Sequence, residues 1–263
     1  MINTIDEVIA RLNEIVEECR RERSRLGYFA ALYLRVTVAV KQGIANNVFQ
    51  NGECMARLDV VFANRYIQAY ELYRQGKQPT KSWQMAFDAA QKWRPLILQQ
   101  LLAGINAHIN LDLGIAAVTT CPGDELPPLQ HDFDLINTTL ASLVQPVENE
   151  IGSVSPWINF LSKIDPSAND AVINFSMRVA RSEAWKFALK LNLLDAGQQA
   201  AAIERHDQII ADLGRCVCYP PGYFFKLGLL VIRLRESNDV PRVIDLLLNK
   251  PVEMASQLAP GVS

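Results

Sequence analysis

Apolar residues recur at intervals of three and four along almost the whole chain, which is the period of an α-helix with one buried face. No segment alternates apolar and polar residues between Asn-Gly or Asp-Gly turns, as the strands of a hairpin would. The pattern therefore predicts an all-α fold, a bundle of about ten helices. The predicted helices are Thr4–Arg23, Leu26–Asn46, Glu53–Gln75, Ser82–Lys92, Pro95–Thr119, His131–Ile151, Ala168–Leu194, Gln198–Cys216, Gly222–Glu236 and Val240–Leu248.

Turn-forming residues separate these segments, for example at Phe49–Gly52 and Gly76–Pro79. Only the break Thr120–Gln130 is long enough to link two domains. Because the helices on both sides of it present polar residues toward apolar faces, we expect an ordered loop there. We therefore predict one domain over residues 1–250, followed by a C-terminal tail of residues 251–263.

Composition and charge exclude several classes of function. With 263 residues and 49% hydrophobic content, the chain is long enough to bury a sizeable core. Its 26 basic and 28 acidic residues leave a formal net charge of −2, which offers no electrostatic footprint for nucleic acid or anionic lipid. We find no signal-peptide pattern and no uninterrupted apolar stretch of bilayer length. We expect a cytoplasmic protein without nucleic-acid partners or membrane insertion; its oligomeric state stays open, a homo-oligomer included.

The five cysteines are odd in number and scattered along the chain. A chain of this size does not need disulfide bonds for stability, so we expect reduced and partly buried thiols. Cys216 and Cys218 supply half of a zinc site at most, since no second Cys/His pair with finger-like spacing occurs.

The most informative segment is Gly104–Leu113, in which His108 and Asp112 are four residues apart. On a helix this spacing places both on one face, which they share with Leu101 and Ile115. Burial of an imidazole and a carboxylate costs several kcal/mol unless they pair with each other, with further polar groups or with a metal. The polar residues of the opposite face, which we expect to be solvated, are Gln99, Asn106 and Asn110.

Two further carboxylates are predicted to face the core. Asp59 lies at the flank of an apolar stripe that includes Tyr66. Asp132 and Asn137 flank the apolar face of a later helix, and Asp132 also falls in the first turn, where the helix dipole favours a negative charge. Each carboxylate has a structural alternative: Asp59 would bond a tyrosine or an arginine, and Asp132 would be an N-cap.

One side of the helix from Ala168 carries a cluster of Arg178, Arg181 and Trp185. Arg181 and Trp185 are four residues apart, a spacing that suits stacking of the guanidinium on the indole. In one interpretation Arg181 balances the inward carboxylates. In the other it receives an anionic group of a substrate.

The motifs of several enzyme classes are absent from the sequence. It has no phosphate-binding loop, dinucleotide fingerprint, nucleophile elbow or His-Glu-x-x-His zinc motif. Its three histidines are too few for an imidazole-rich zinc cluster. One divalent metal would be held mostly by oxygen atoms, which suits magnesium, manganese, calcium or a single iron or zinc. The candidate ligands are His108, Asp112 and Asp132.

Four segments carry a resemblance to a known family: Leu58–Tyr66, Gly104–Leu113, Asp132–Asn137 and Ala180–Trp185. They resemble a group of bacterial proteins catalogued as a domain of unknown function, family 5995, over most of the chain from Arg20 to Leu248. The resemblance implies a helical bacterial protein and names no reaction. A fainter similarity links the His-x-x-x-Asp pair to the all-α zinc-dependent phospholipase C and nuclease group. The chain lacks the other histidines of that group, so this link is analogy only.

Two interpretations of function follow. In the first, the protein is an enzyme that performs metal-assisted or general acid–base chemistry, such as hydrolysis or cyclisation, on a small and largely apolar substrate. Its catalytic residues would be His108, Asp112, Asp132 and Asp59, and its substrate-binding residues Tyr66, Asn137, Arg181 and Trp185. In the second, the protein is a non-catalytic helical binding or scaffold protein with a closed structural network. A pocket beside His108 would favour the enzyme, and a haem ligated by His108 stays an open alternative.

Overall fold

The computed structural model describes residues 2–137 and 166–248, without the side chains of residues 166–176 and 223–225. Within these ranges the chain forms ten α-helices with the bounds given below, a further helical stretch over residues 130–137, one π-helix and two short 3-10 turns, and no strand. The predicted all-α fold is therefore confirmed. The predicted tail, residues 251–263, and the part of the helix His131–Ile151 beyond residue 137 lie outside the described residues.

Helix ends lie close to the predicted ends because local capping residues set them. Thr4 and Asp195, for example, accept hydrogen bonds from backbone N–H groups of the first turns of the helices that they precede. Residues 130–137 are also helical. The α-helices are α1 Ile5–Glu22, α2 Gly27–Ala45, α3 Gly52–Arg74, α4 Lys81–Gln91, α5 Ile97–Ile105, α6 Gly114–Thr120, α7 Pro166–Asn192, α8 Ala196–Cys218, α9 Tyr223–Arg233 and α10 Val240–Leu248.

One predicted helix, Pro95–Thr119, consists of three consecutive segments. A π-helix of 8 residues, Asn106–Leu113, joins α5 to α6 without a break. In a π-helix each N–H group bonds the carbonyl five residues earlier, which is a rare geometry that occurs often at functional sites. Apolar periodicity over so few residues does not distinguish a π-helix from an α-helix.

The continuous helix Ile97–Thr120, called the central helix below, packs against α2, α3, α4, α7 and α8. Its length and apolar composition would suffice for a membrane span, contrary to our expectation from the sequence. However, 78% of its most apolar stretch is buried inside the protein. The buried core helix of a soluble helical bundle has the same length and apolar composition, so this observation is weak evidence for a membrane span.

The face of the central helix that we expected to be solvated is covered by α8. Gln99 and Asn106 are both buried. The side-chain amide of Asn106 donates to the carbonyl of Ile210 at 2.8 Å, and that of Gln99 donates to the carbonyl of Val217 at 2.7 Å. The expectation was wrong for Gln99 and Asn106, because carbonyl groups of α8 replace water as partners of these amides, whereas Asn110 is half-buried.

Three buried carboxylates bond backbone N–H groups at or just before the starts of other helices. Asp132 accepts the two N–H groups that precede α3 at 2.9 and 2.8 Å. Asp207 accepts the first two N–H groups of α4 at 2.6 and 2.9 Å, and Glu236 accepts the first N–H group of α5 at 3.1 Å. The free N–H groups and the dipole of a helix N-terminus favour a carboxylate there. Each carboxylate thereby ties a helix start to a distant part of the chain.

The break Thr120–Gln130 is an ordered loop, in agreement with the expectation from the sequence. Leu126 and Leu129 are buried against the core. The side chain of Asn192 in α7 bonds both the N–H and the carbonyl of Gly123, at 2.7 and 2.9 Å. The loop is therefore held by α7 as well as by its own apolar residues.

Gly114 allows α6 to approach α7 closely, and this yields a prediction. A Cβ atom there would lie 2.7 Å from the backbone oxygen of Ala184, which cannot rotate away. We expect Gly114→Ala to lower the free energy of unfolding, measured in urea, by about 1–3 kcal/mol. Gly228 in α9 has open space at its Cβ position, so Gly228→Ala is the matched control and should be neutral or slightly stabilising. Equal effects of the two substitutions would contradict the close approach.

Candidate functional site

His108 lies in the π-helix and points into the interior, where only 3% of its surface is exposed. Phe62 stacks on the imidazole, with ring centroids 3.5 Å apart and planes inclined by 6°. The ring of Tyr33 meets the imidazole edge-on at a centroid distance of 4.4 Å. We call the rings around His108 the aromatic cluster; its members are Phe29, Tyr33, Phe62, Tyr66 and Trp83.

Asp112 is a fully buried carboxylate with three partners. Its Oδ1 accepts a hydrogen bond from Nε of Arg65 at 2.7 Å, and its Oδ2 accepts one from Nε1 of Trp83 at 2.7 Å. Nδ1 of His108 lies 3.5 Å from Oδ2, so the predicted His–Asp pair is present. Burial raises the pKa of Asp112, but the charge of Arg65 and the hydrogen bonds outweigh burial and hold the pKa below its usual value. Asp112 is therefore ionised.

His108 is neutral at neutral pH. Burial lowers the pKa of the imidazole, the contact with Asp112 raises it, and the charge of Arg65 lowers it; the net pKa is below the usual value. A proton on Nδ1 suits donation to Asp112 and leaves a lone pair on Nε2. Nε2 has no hydrogen-bond partner within the described residues.

Three more buried polar atoms, on α2 and α3, have no hydrogen-bond partner in the part of the chain that the structure describes. They are Oη of Tyr33, Oδ2 of Asp59 and Oη of Tyr66. On α3, Asp59 precedes Phe62 by about one turn and Tyr66 follows it by about one turn. Burial and the nearby charge of Asp59 raise the pKa of Tyr33 well above its usual value. We call the four residues Tyr33, Asp59, Tyr66 and His108 the buried polar centre.

Asp59 is the carboxyl group of the buried polar centre. Burial raises its pKa from the usual 3.8 to about 7. The group therefore exchanges its proton near neutral pH, as a general acid or base must. The prediction that Asp59 faces the core is confirmed. Neither a tyrosine nor an arginine among the described residues bonds its Oδ2.

Asp132 is buried but does not join His108 and Asp112. Its two carboxylate oxygens accept the N–H groups that precede α3, and Nδ1 of His131 lies 3.3 Å from Oδ1. Among the described residues, no group of three or more His, Cys, Asp or Glu side chains is placed to hold a metal ion. The predicted ligand trio is therefore not assembled, because Asp132 bonds the backbone just before α3 through both of its carboxylate oxygens. It does not cap its own helix either, as the structural alternative required.

Arg181 and Trp185 lie in a separate buried cluster with Phe133. The guanidinium lies over the ring of Phe133, 4.4 Å from its centroid, and donates to the carbonyl of the same residue. The expected stacking of Arg181 on Trp185 is wrong, since Trp185 itself packs against Phe133 at a centroid distance of 4.9 Å. Burial lowers the pKa of Arg181 to about 10. Arg178 is exposed, and Asn137 is half-buried at the end of the first described range.

Comparison with known proteins identifies the family. The model of the Family of unknown function (DUF5995) matches residues 5–220. The chain belongs to this family. The match spans α1 to α8 and includes the buried polar centre, and it ends before α9. No curated protein and no solved structure matches the chain.

Four residues of the site were not singled out from the sequence: Phe29, Tyr33, Arg65 and Trp83. Arg65 follows the buried Leu58 by seven residues, which places it near the same face of α3. That spacing was a usable signal for an inward cation. Phe29, Tyr33 and Trp83 carry no comparable signal, because aromatic residues on an apolar face are ordinary core residues.

Asp59 should make stability fall as the pH rises. Its pKa is near 3.8 in the unfolded chain and about 7 in the folded protein, so folding favours the protonated form. The stability that Asp59 contributes is fully present below its pKa in the unfolded chain, 3.8. It is lost as the pH rises through its pKa in the folded protein, about 7. We expect Asp59→Asn to gain stability relative to wild type by a few kcal/mol between about pH 5 and about pH 8.

Urea unfolding at both pH values measures this effect. The control is Asp212→Asn in α8, because Asp212 is exposed and bonds Arg215 at the surface. A difference between Asp59→Asn and wild type that does not change with pH would show that Asp59 keeps one protonation state.

Proposed function

We propose that the protein binds a small, largely apolar molecule at the buried polar centre and carries out general acid–base chemistry on it. The observation that supports this proposal is the set of four buried polar atoms without partners among the described residues. Buried polar atoms of a structural core are normally paired, and each unpaired one costs about 1–3 kcal/mol. A ligand with oxygen functions would supply partners to atoms of this set.

His108 is the proton acceptor in this proposal. Its imidazole is neutral, and Asp112 at Nδ1 orients it so that Nε2 carries the lone pair. A carboxylate that orients a histidine base is a common catalytic arrangement. Asp112 already bonds Arg65 and Trp83, so it acts as a positioning residue.

Asp59, Tyr33 and Tyr66 are the proton or hydrogen-bond donors. Burial raises the pKa of both tyrosines well above the usual value, so their hydroxyl groups stay protonated and donate hydrogen bonds. A carbonyl or hydroxyl oxygen of a ligand accepts such bonds. Asp59, with its pKa of about 7, gives or takes a proton near neutral pH.

The aromatic cluster indicates what kind of ligand body fits beside His108. Rings line the surroundings of His108, and an aromatic or aliphatic ligand body packs well against them. Phe62 and the imidazole are in direct contact at 3.5 Å, so a ligand reaches Nε2 when the Phe62 side chain moves aside. Binding in this proposal is coupled to side-chain motion.

A second candidate function is a non-catalytic helical scaffold. The saturated contacts of Asp112 and the stacking of Phe62 on His108 favour it, because a closed network has these features. In this alternative, buried water pairs the four polar atoms. The centre then serves to hold α2, α3 and the central helix together.

The Tyr66 hydroxyl separates the two candidates. If it awaits a ligand, Tyr66→Phe removes an unpaired polar atom and leaves the free energy of unfolding unchanged or raises it by up to about 1 kcal/mol. If it belongs to a closed network, the variant loses about 1–2 kcal/mol in urea unfolding. Tyr73→Phe is the control, since the Tyr73 hydroxyl donates to Asp88 near the surface at 3.0 Å.

Ligand binding is tested with small apolar molecules that carry one ketone, alcohol or phenol group. We expect at least one class to raise the Tm and to change the nitrogen chemical shift of His108 Nε2. His206, which bonds the carbonyl of Asn110 at 2.9 Å, should keep its shift. Tyr66→Phe should weaken binding by about tenfold. No response of wild type to any class, together with a destabilised Tyr66→Phe, would overturn the proposal in favour of the scaffold.

A further inference from the structure

Cys54 and Cys121 form a pair of thiols outside the buried polar centre. Their Sγ atoms lie 2.8 Å apart, although the residues are 67 positions apart in the chain. Both side chains are buried, and neither is part of a disulfide. The sequence predicts reduced and partly buried thiols, and the structure brings two of these thiols into contact.

Helix-end hydrogen bonds hold the backbone of both cysteines. Cys54 lies in the first turn of α3, where its N–H group donates to the side chain of Asn51 at 3.0 Å. Cys121 directly follows α6, and its N–H group donates to the carbonyl of Ala117 at 3.0 Å. The two sulfur atoms therefore face each other from two fixed helix ends.

We propose that Cys54 and Cys121 are a redox site that forms an intramolecular disulfide with hydrogen peroxide as the oxidant. First, the thiolate of one cysteine attacks the peroxide; the O–O bond breaks, and a sulfenic acid and hydroxide form. Then the sulfur of the other cysteine attacks the sulfenic sulfur; the S–S bond forms, the S–O bond breaks and water leaves. In total, two thiols and one peroxide give one disulfide and two waters.

The thiol environment determines the rate of this reaction. Burial and the hydrogen bond with Cys54 raise the pKa of Cys121 to about 12, so little of its thiolate exists at neutral pH. The thiolate is the form that reacts with peroxide. Since the thiolate of either cysteine can start the reaction, we expect oxidation to become faster as the pH rises above neutral.

The disulfide would cross-link the start of α3 to the end of α6. Asp59 lies in α3, and His108 lies in the π-helix that continues directly into α6. A cross-link across a long loop stabilises mainly by restricting the unfolded chain. The oxidised protein should therefore melt at a higher temperature than the reduced protein.

The test uses the reduced, full-length protein. It is treated with hydrogen peroxide at mildly alkaline pH, unfolded and alkylated, and its mass and peptides are then measured. We expect alkylatable thiols to fall by two, from five to three, with Cys54 and Cys121 in one cross-linked peptide. The Tm should rise by about 5 °C or more and return after reduction with dithiothreitol.

Single substitutions supply the controls. Cys54→Ser and Cys121→Ser should each abolish the intramolecular disulfide and the rise in Tm. Cys216→Ser should keep both, because Cys216 is exposed and lies outside the pair. The wild-type peptide map does not depend on how the variants fold. Five alkylatable thiols after the peroxide treatment, or a cross-link between other cysteines, would overturn the proposal.

Discussion

The ionised carboxylate of Asp112 is the group on which the centre of the fold depends. A charge at this depth would cost several kcal/mol without partners, and Arg65 of α3 and Trp83 of α4 each donate to it at 2.7 Å. The same carboxylate lies beside Nδ1 of His108 on the central helix. Three helices are thus held at one point, and the orientation of the imidazole follows from the requirement to keep one buried charge paired.

Carboxylates at helix ends apply the same constraint elsewhere in the fold. Asp132, Asp207 and Glu236 each accept N–H groups at or just before the start of a helix that is distant in sequence. Apolar packing tolerates some sliding of one helix along another, whereas a bond between a carboxylate and a helix end sets the position along the axis. Asp132 is therefore fully used in setting the position of α3, which accounts for its absence from the centre around His108.

Asp59 and Asp112 are both fully buried, yet their pKa values move in opposite directions. Asp112 has a cation and two hydrogen-bond donors, so its pKa falls below the usual value. Burial acts on Asp59 without such compensation and raises its pKa to about 7. Two carboxyl groups whose pKa values differ in this way can have distinct roles. One stays ionised, and the other can exchange a proton. The polar atoms of Tyr33, Asp59, Tyr66 and His108 that have no partner among the described residues lower stability, and the proposed ligand would pair them.

The sequence by itself determined the all-α, multi-helix architecture, because apolar periodicity and capping residues act within a few residues of each helix. It also determined the pairing of His108 with Asp112, since residues four apart on a helix share a face. Tertiary structure alone decided the partners Arg65 and Trp83, the bonds of Asp132 to the backbone just before α3, the π-helix and the contact between two distant thiols. These features depend on which helices become neighbours and on the polar groups that each neighbour presents, and local periodicity does not encode either.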